Sequence, residues 1–315
     1  MVWSFSNSRT FQRCQRQWFI KQFLANANAK KDPIRREAYL LSTLQSLYAW
    51  RGSIVDDVIS RVIIPSLNRK IFPPRIDIIH DARQLFDTQL AFALDNRMRE
   101  PGMTKKQAGN SFAALFPVEY GISITQEELD LAWQDIENAF YNLYKMTSLI
   151  ALLQRGNWII AQRPLAFTCH ETQSRMVPDL IAFYDNEAPL IVDWKVHSFG
   201  TNNARLQLAS YALALVSCNP HSDFPRSLKR YQPSDIRLLE VQLLTGQQRS
   251  YELTGADIEA VETYILRTNM EMLLVTEGQA RQWSMFDFSA ANYAETCQNC
   301  NFRSLCWMEV ESNEF

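Results

Sequence analysis

Cys14 stands alone near the start of the chain, whereas Cys297, Cys300 and Cys306 crowd its end in a C-x2-C-x5-C run. Three thiols within ten residues form an incomplete tetrahedral set, and Cys14 is the candidate that completes it. If one site takes all four, the two ends of a 315-residue chain must meet, and closing so long a loop removes much freedom from the unfolded chain. Four thiolates suit zinc and equally an iron–sulfur cluster; spacing alone does not decide between them. Free reactive thiols clustered so closely are disfavoured. Cys169 and Cys218 lie in apolar or ordinary contexts and read as small buried hydrophobes.

The compartment bears on that reading. Residues 1–24 contain no apolar signal region and are rich in Arg and Gln, and no apolar run approaches bilayer length. A cytoplasmic, reducing location is therefore expected, where spaced cysteines are metal ligands before they are disulfides. The net charge of −2 carries no global sign of nucleic acid, but a local basic groove would vanish in that sum. Arg9, Arg13, Arg16 and Lys21 form one candidate set of phosphate contacts, and Arg226, Lys229 and Arg230 another. There is no GxxxxGK[ST] loop, hence no visible ATP-driven motor within the chain.

The front half reads as helical. Ser6 or Ser8 could cap a helix running towards Leu24. Helical spacing follows over 33–64, 79–99 and 126–154, the last opening on a Thr125/Glu128 capping-box pattern; residues 101–124 read as a linker. Beyond Gly156 the segments Trp158–Thr168, Arg175–Tyr184 and Pro189–Val196 are rich in β-formers. An apolar helix spans 203–217, a hairpin is expected at Ile236–Leu244 and Gln248–Leu253, and Thr254 could cap a final long helix, Ala256–Thr276. These elements are expected to form a single α/β domain over 1–315. Its parts are a cluster-ligand helix (1–32), a helical insertion (33–155), a catalytic core (156–280) and a cysteine-bearing tail (281–315).

Asp193 and Lys195 sit two apart in the otherwise apolar strand Leu190–Val196, so they share one face. A short turn at 185–188 allows Asp179 to approach from the neighbouring strand. Charges in an apolar strand are costly unless paired or metal-bound. Two carboxylates suit Mg²⁺ or Mn²⁺, which would polarise a phosphodiester and acidify a bound water. Lys195 would hold that water or stabilise the developing negative charge. Gln207 and Tyr211, at i and i+4, share one face of the helix that follows. His197, two residues past Lys195, could approach a substrate.

Asp179 after Pro178, then Asp193-Trp194-Lys195, then a helix with Gln207 and Tyr211: this order resembles the PD-(D/E)XK nuclease superfamily, in its RecB-like branch. The resemblance implies a restriction-endonuclease-like mixed sheet flanked by helices. It also implies that Asp179 and Asp193 bind the metal, that Lys195 is catalytic, and that Gln207 and Tyr211 position the metal site or the DNA. The segment Ser6–Trp18 around Cys14, with the late cysteine run, looks like the iron–sulfur staple of AddB-type nuclease domains and CRISPR-adaptation nucleases. By that resemblance Cys14, Cys297, Cys300 and Cys306 hold a [4Fe–4S] cluster of mainly structural role.

Two departures stand out. The family usually has Pro after the early Cys, where this chain has Gln15. It also has His four residues after a Gly, where Arg51-Gly52-Ser53-Ile54-Val55-Asp56 places Asp56, a harder ligand that can still take Mg²⁺. The expectation is a metal-dependent DNA nuclease acting on ends or single strands, with a helicase or other repair or defence protein as partner in trans. The missing His favours an alternative, a non-catalytic nucleic-acid-binding or scaffold protein that keeps the nuclease fold. A third reading, a zinc-stapled helical interaction module, leaves Gln207 and Tyr211 unexplained.

Overall fold

The computed structural model describes residues 1–29, 31–196, 204–277 and 283–312. Their packing forms two compact units. One gathers Met1–Trp3, Tyr48–Thr88 and Thr125–Leu266; the other gathers Ser4–Leu47, Gln89–Ile124 and Arg267–Phe315. No helix among the described residues is long and apolar enough to cross a membrane.

Among the described residues the first unit has seven strands: β1 (Trp158–Ala161), β2 (Leu165–Cys169), β3 (Thr172–Met176), β4 (Leu180–Phe183), β5 (Leu190–Lys195), β6 (Arg237–Gln242) and β7 (Gln247–Tyr251). Five form one sheet in the order β1-β4-β5-β6-β7, and β2 and β3 pair separately as a hairpin. Only β5 and β6 run parallel within the sheet. A parallel pair needs a crossover, supplied by the helix Ala204–Ser217. All of β4 and nearly all of β5 are buried, as near-continuous apolar strands must be when both faces are covered. In β2 and β3, buried and exposed residues alternate, so this hairpin covers the core with one face only.

The expected β segments Trp158–Thr168 and Arg175–Tyr184 are each broken in two. Gln162 takes a left-handed φ of 44° after β1, which ends that strand. Val177-Pro178-Asp179 interrupts the second segment, because Pro178 has no N–H to give to a ladder. Asp179 therefore sits in the break just before β4 rather than within a strand. The β6–β7 hairpin turns at Gly246, with φ +70°, and Asn142 clamps it by donating to the carbonyls of Leu243 at 2.8 Å and Leu244 at 2.9 Å. Around the sheet run the helix Leu47–Val58 and the helix Gln126–Lys145. The latter opens on the expected capping box, Glu128 N–H donating to Thr125 Oγ1 at 3.2 Å and Thr125 N–H to Glu128 Oε2 at 2.8 Å.

In the second unit the helix expected to run to Leu24 is interrupted. Its first part is Phe5–Arg13, and the cap is Ser4 rather than Ser6 or Ser8, its Oγ accepting from Asn7 N–H at 3.2 Å. Cys14 is extended, and its Sγ accepts from Gln17 N–H at 3.3 Å to open the helix Gln15–Phe19. That break projects the thiol instead of spending the residue on a helical turn. Trp18 packs edge-on against Phe11 and Phe23, and Phe19 stacks on Phe288 at 4.3 Å. These aromatic contacts, with the hydrogen bond from Arg16 N–H to the Ser289 carbonyl at 3.1 Å, tie the early helices to the late segment. The late cysteines lie on and between the helices Ala294–Gln298 and Arg303–Ser312.

Candidate functional site

In the first unit, β5 presents Asp193, which is only 1% exposed, and Lys195 two residues on. Lys195 Nζ lies 2.5 Å from Asp193 Oδ2. From the strand break, Asp179 Oδ2 accepts the Trp194 N–H at 2.9 Å, which fixes its carboxylate beside β5. Gln207 Nε2 donates to Tyr211 Oη at 2.6 Å and reaches Asp193 Oδ1 at 3.4 Å. Thus Asp179, Asp193, Lys195, Gln207 and Tyr211 converge. The i, i+4 spacing on a helix lying against β5 delivers both polar groups to the strand charges.

Asp56 joins them electrostatically. Its helix passes the end of β5 at Gly52, where an added Cβ would lie 3.9 Å from Val196 Cβ. Burial, and then the charge of Asp193, push the Asp56 carboxyl up to about 7. Burial and the charges of Asp193 and Asp56 raise Asp179 well above the usual carboxylate range. Burial and the same aspartates also hold the Tyr211 phenol protonated, far above its ordinary value. Asp57 is shifted up by burial, which Arg61 partly offsets.

Burial and the neighbouring carboxylates raise Asp56 and Asp179, a cost that a bound cation would offset. Their oxygens are hard donors, the type that suits Mg²⁺ or Mn²⁺. Asp56, Asp179 and Asp193 would hold the ion, which supplies charge neutralisation and an acidified water. Lys195 then lies beside the ligand shell with a donor to place on a water or a phosphoryl oxygen.

A pH dependence follows from Asp56. An unfolded aspartate has an ordinary pKa of about 3.9. The metal-free folded protein keeps a proton that the unfolded chain gives up between there and about 7. That contribution to stability is full below about pH 4 and lost as pH rises through 7, by at most about 1.4 kcal/mol per pH unit. Metal competes with the same proton, so Mg²⁺ affinity is expected to rise with pH through this window. Asp56→Asn should weaken both trends, leaving the part that the raised Asp179 carboxyl supplies, and should change them more than Asp57→Asn does. Denaturant midpoints in chelator and Mg²⁺ titrations from pH 5 to 8 test this; unchanged profiles in Asp56→Asn would assign Asp56 to an ordinary solvated face.

Two features were missed in the sequence. Arg51, one turn before Asp56, is buried in a salt bridge with Asp135, and its Nη2 reaches the Val196 carbonyl at 3.5 Å. Glu240 is in register with Asp193 on the parallel β6 and so shares its face. It is fully buried, accepting from Gln242 Nε2 and Tyr251 Oη at 2.5 Å each. The signal was present: Glu240 is a charge in an apolar strand, as Asp193 is. His197 lies outside the described residues.

In the second unit, Cys14, Cys297, Cys300 and Cys306 line one cavity with Arg16, Ile20 and Phe302 among its walls. Burial first, then the neighbouring Cys14 and Cys306, raise the Cys297 thiol. Burial and the same cysteines push Cys300 up to about 11. Four cysteines around one cavity make a donor set that suits a thiolate-bound metal centre. Arg16 is not spread towards solvent: Nη1 lies 3.7 Å from Cys306 Sγ and Nε 3.4 Å from the Phe288 carbonyl. Arg13 donates to Gln17 Oε1 at 2.7 Å, and burial, then the charge of Arg13, lowers the pKa of Lys21. Arg226 and Arg230 are exposed; the side chain of Lys229 lies outside the described residues.

A mixed sheet carrying Asp193 and Lys195, with Asp179 at the break before β4 and a Gln207/Tyr211 helix alongside, has the build of a metal-dependent phosphodiesterase. The model of the PD-(D/E)XK nuclease superfamily matches residues 2–307; the chain belongs to that superfamily. Its members are typically metal-dependent phosphodiesterase nucleases, and membership implies DNA as the substrate. No curated protein matches the chain. Among solved structures, the crystal structure of SSO0001 is similar at 12% identity, covering 71% of this chain and 96% of that chain with a TM-score of 0.29; that likeness carries no argument here.

Proposed function

We propose that the chain is a Mg²⁺- or Mn²⁺-dependent deoxyribonuclease of the RecB/AddB-like branch, acting on DNA ends or single strands in repair, recombination or defence. The observation that carries this is the convergence of Asp179 and Asp193 with Lys195, the charged pair closing to 2.5 Å within a buried strand. Asp56, Asp179 and Asp193 hold the ion. Lys195 orients the attacking water or stabilises the charge growing on the phosphoryl oxygens. Gln207 and Tyr211 fix the orientation of Asp193. The Asp56 carboxylate takes the place of an imidazole, so Asp56→His should keep partial activity and move the metal preference towards Mn²⁺, the softer-ligand choice.

In the second unit, Cys14, Cys297, Cys300 and Cys306 hold a [4Fe–4S] cluster with a structural role. The shared cavity supports a common centre; the preference for iron rests on the resemblance of the two cysteine segments to iron–sulfur nucleases. A helicase or another DNA-processing protein would act beside the chain, and the setting is cytoplasmic.

Protein purified without air should be brown and contain iron and acid-labile sulfide. With Mg²⁺ or Mn²⁺ it should degrade linear single-stranded or duplex DNA and spare covalently closed circles. Stoichiometric zinc without iron in fully active protein would refute the cluster assignment, and equal cleavage of closed circles would refute the end preference.

A further inference from the structure

We infer that the first unit contains a second metal site, for a zinc-type borderline-soft divalent cation, formed by Cys169, His170 and Glu262. The Cys169 thiol, a ring nitrogen of His170 and a carboxylate oxygen of Glu262 all lie within 4.8 Å of one another. Around one zinc with bonds of about 2.0–2.3 Å, tetrahedral neighbours stand roughly 3.3–3.8 Å apart. Closing the set therefore takes side-chain shifts on the order of 1 Å.

The backbone brings the three together from two elements. Cys169 pairs with Thr172 at the end of the β2–β3 hairpin, so His170 and Glu171 form a two-residue turn. His170 has a φ of 51°, in the left-handed region where non-glycine residues are uncommon and Asn-Gly or Gly would be the ordinary choice. The chain places an imidazole there, exposed at the hairpin tip, with the Cys169 thiol buried beneath it. Glu262 comes from the helix Gly255–Leu274. Trp3 fixes the hairpin and that helix against each other. Its N–H donates to the Gln173 carbonyl at 2.8 Å, its carbonyl accepts from Arg175 N–H at 2.9 Å, and its ring meets Tyr264 edge-on at 6.1 Å. Ligands held on elements so locked are preorganised for one ion.

The donor set separates this site from the aspartate site. Thiolate, imidazole and carboxylate suit zinc, whereas an all-carboxylate set suits Mg²⁺ or Mn²⁺. Three protein ligands leave a fourth position for water or a small anion. An ion bound here would clip the hairpin to the helix.

Cobalt(II) titration of the full-length reduced protein, with its terminal cysteine site loaded as purified, tests the inference by difference spectroscopy. Wild type should develop a thiolate-to-cobalt charge-transfer band and tetrahedral d–d bands at one equivalent, displaced by Zn²⁺. Cys169→Ser should lose the charge-transfer band. Glu262→Gln and His170→Asn should weaken cobalt affinity by more than about tenfold; Asn tolerates the left-handed backbone, so His170→Asn should retain the wild-type melting temperature of the metal-free protein. The bands should persist in Asp193→Asn. No thiolate band in wild type would overturn the site. So would a band that survives Cys169→Ser, or one that disappears with Cys14→Ser instead.

Discussion

Lys195→Ala is expected to reduce metal-dependent DNA cleavage by at least about a hundredfold while leaving DNA binding and, with metal bound beside Asp193, the fold largely intact. The side chain ends at the surface of a buried carboxylate pair, 2.5 Å from Asp193 Oδ2, so its removal takes a donor from the reacting centre and leaves the core packing intact. The loss should therefore fall on turnover rather than on affinity. Single-turnover cleavage and a DNA-binding titration in Ca²⁺ separate the two. Asp193→Ala should behave differently and lose Mg²⁺ binding as well, because Asp193 is the residue on which Lys195, Gln207 and the neighbouring aspartates all converge. Undiminished turnover in Lys195→Ala would move the chemistry elsewhere in the molecule.

Cys14→Ala is expected to empty the terminal cysteine site and to destabilise the protein by several kcal/mol, on the order of 3–5, the range for losing a link that closes a long loop. The helix break at Cys14 presents its thiol to the same cavity as Cys297, Cys300 and Cys306, so one truncation would remove a quarter of the proposed ligand set and with it the tie between distant segments. Iron and sulfide content and thermal unfolding should fall together. Cys218→Ala, at a buried thiol outside that cavity, should leave iron content unchanged. Wild-type iron content in Cys14→Ala would show that Cys14 is not a ligand.

The candidate site on β5 was legible because charge in an apolar strand is costly: Asp193 and Lys195 stand out within Leu190–Lys195, and the helix i, i+4 rule puts Gln207 beside Tyr211. Glu240 carried the same signal on β6 and was passed over, since no partner residue in the sequence pointed to it. The strand breaks were less legible. Pro178 could have ended the segment before β4, but the left-handed turn at Gln162 comes from tertiary context. The cap at Ser4 and the helix break at Cys14 were hidden for another reason. Residues 4–18 contain no Gly or Pro to mark a break, and the interruption goes with the packing of Trp18 and Phe19 on Phe288 and with the position of the thiol. Buried Arg51 paired with Asp135 depends on a contact across 84 residues of sequence, which no local pattern records.

The most direct test of the central reading is incubation of end-labelled linear DNA with the anaerobically purified protein in Mg²⁺, in Mn²⁺ and in excess chelator, with Asp193→Ala run in parallel. The account predicts cleavage by wild type in either metal, none in chelator, and none by Asp193→Ala under any condition. Metal-dependent DNA binding without cleavage by wild type would contradict it and leave a nuclease fold that serves only to hold DNA.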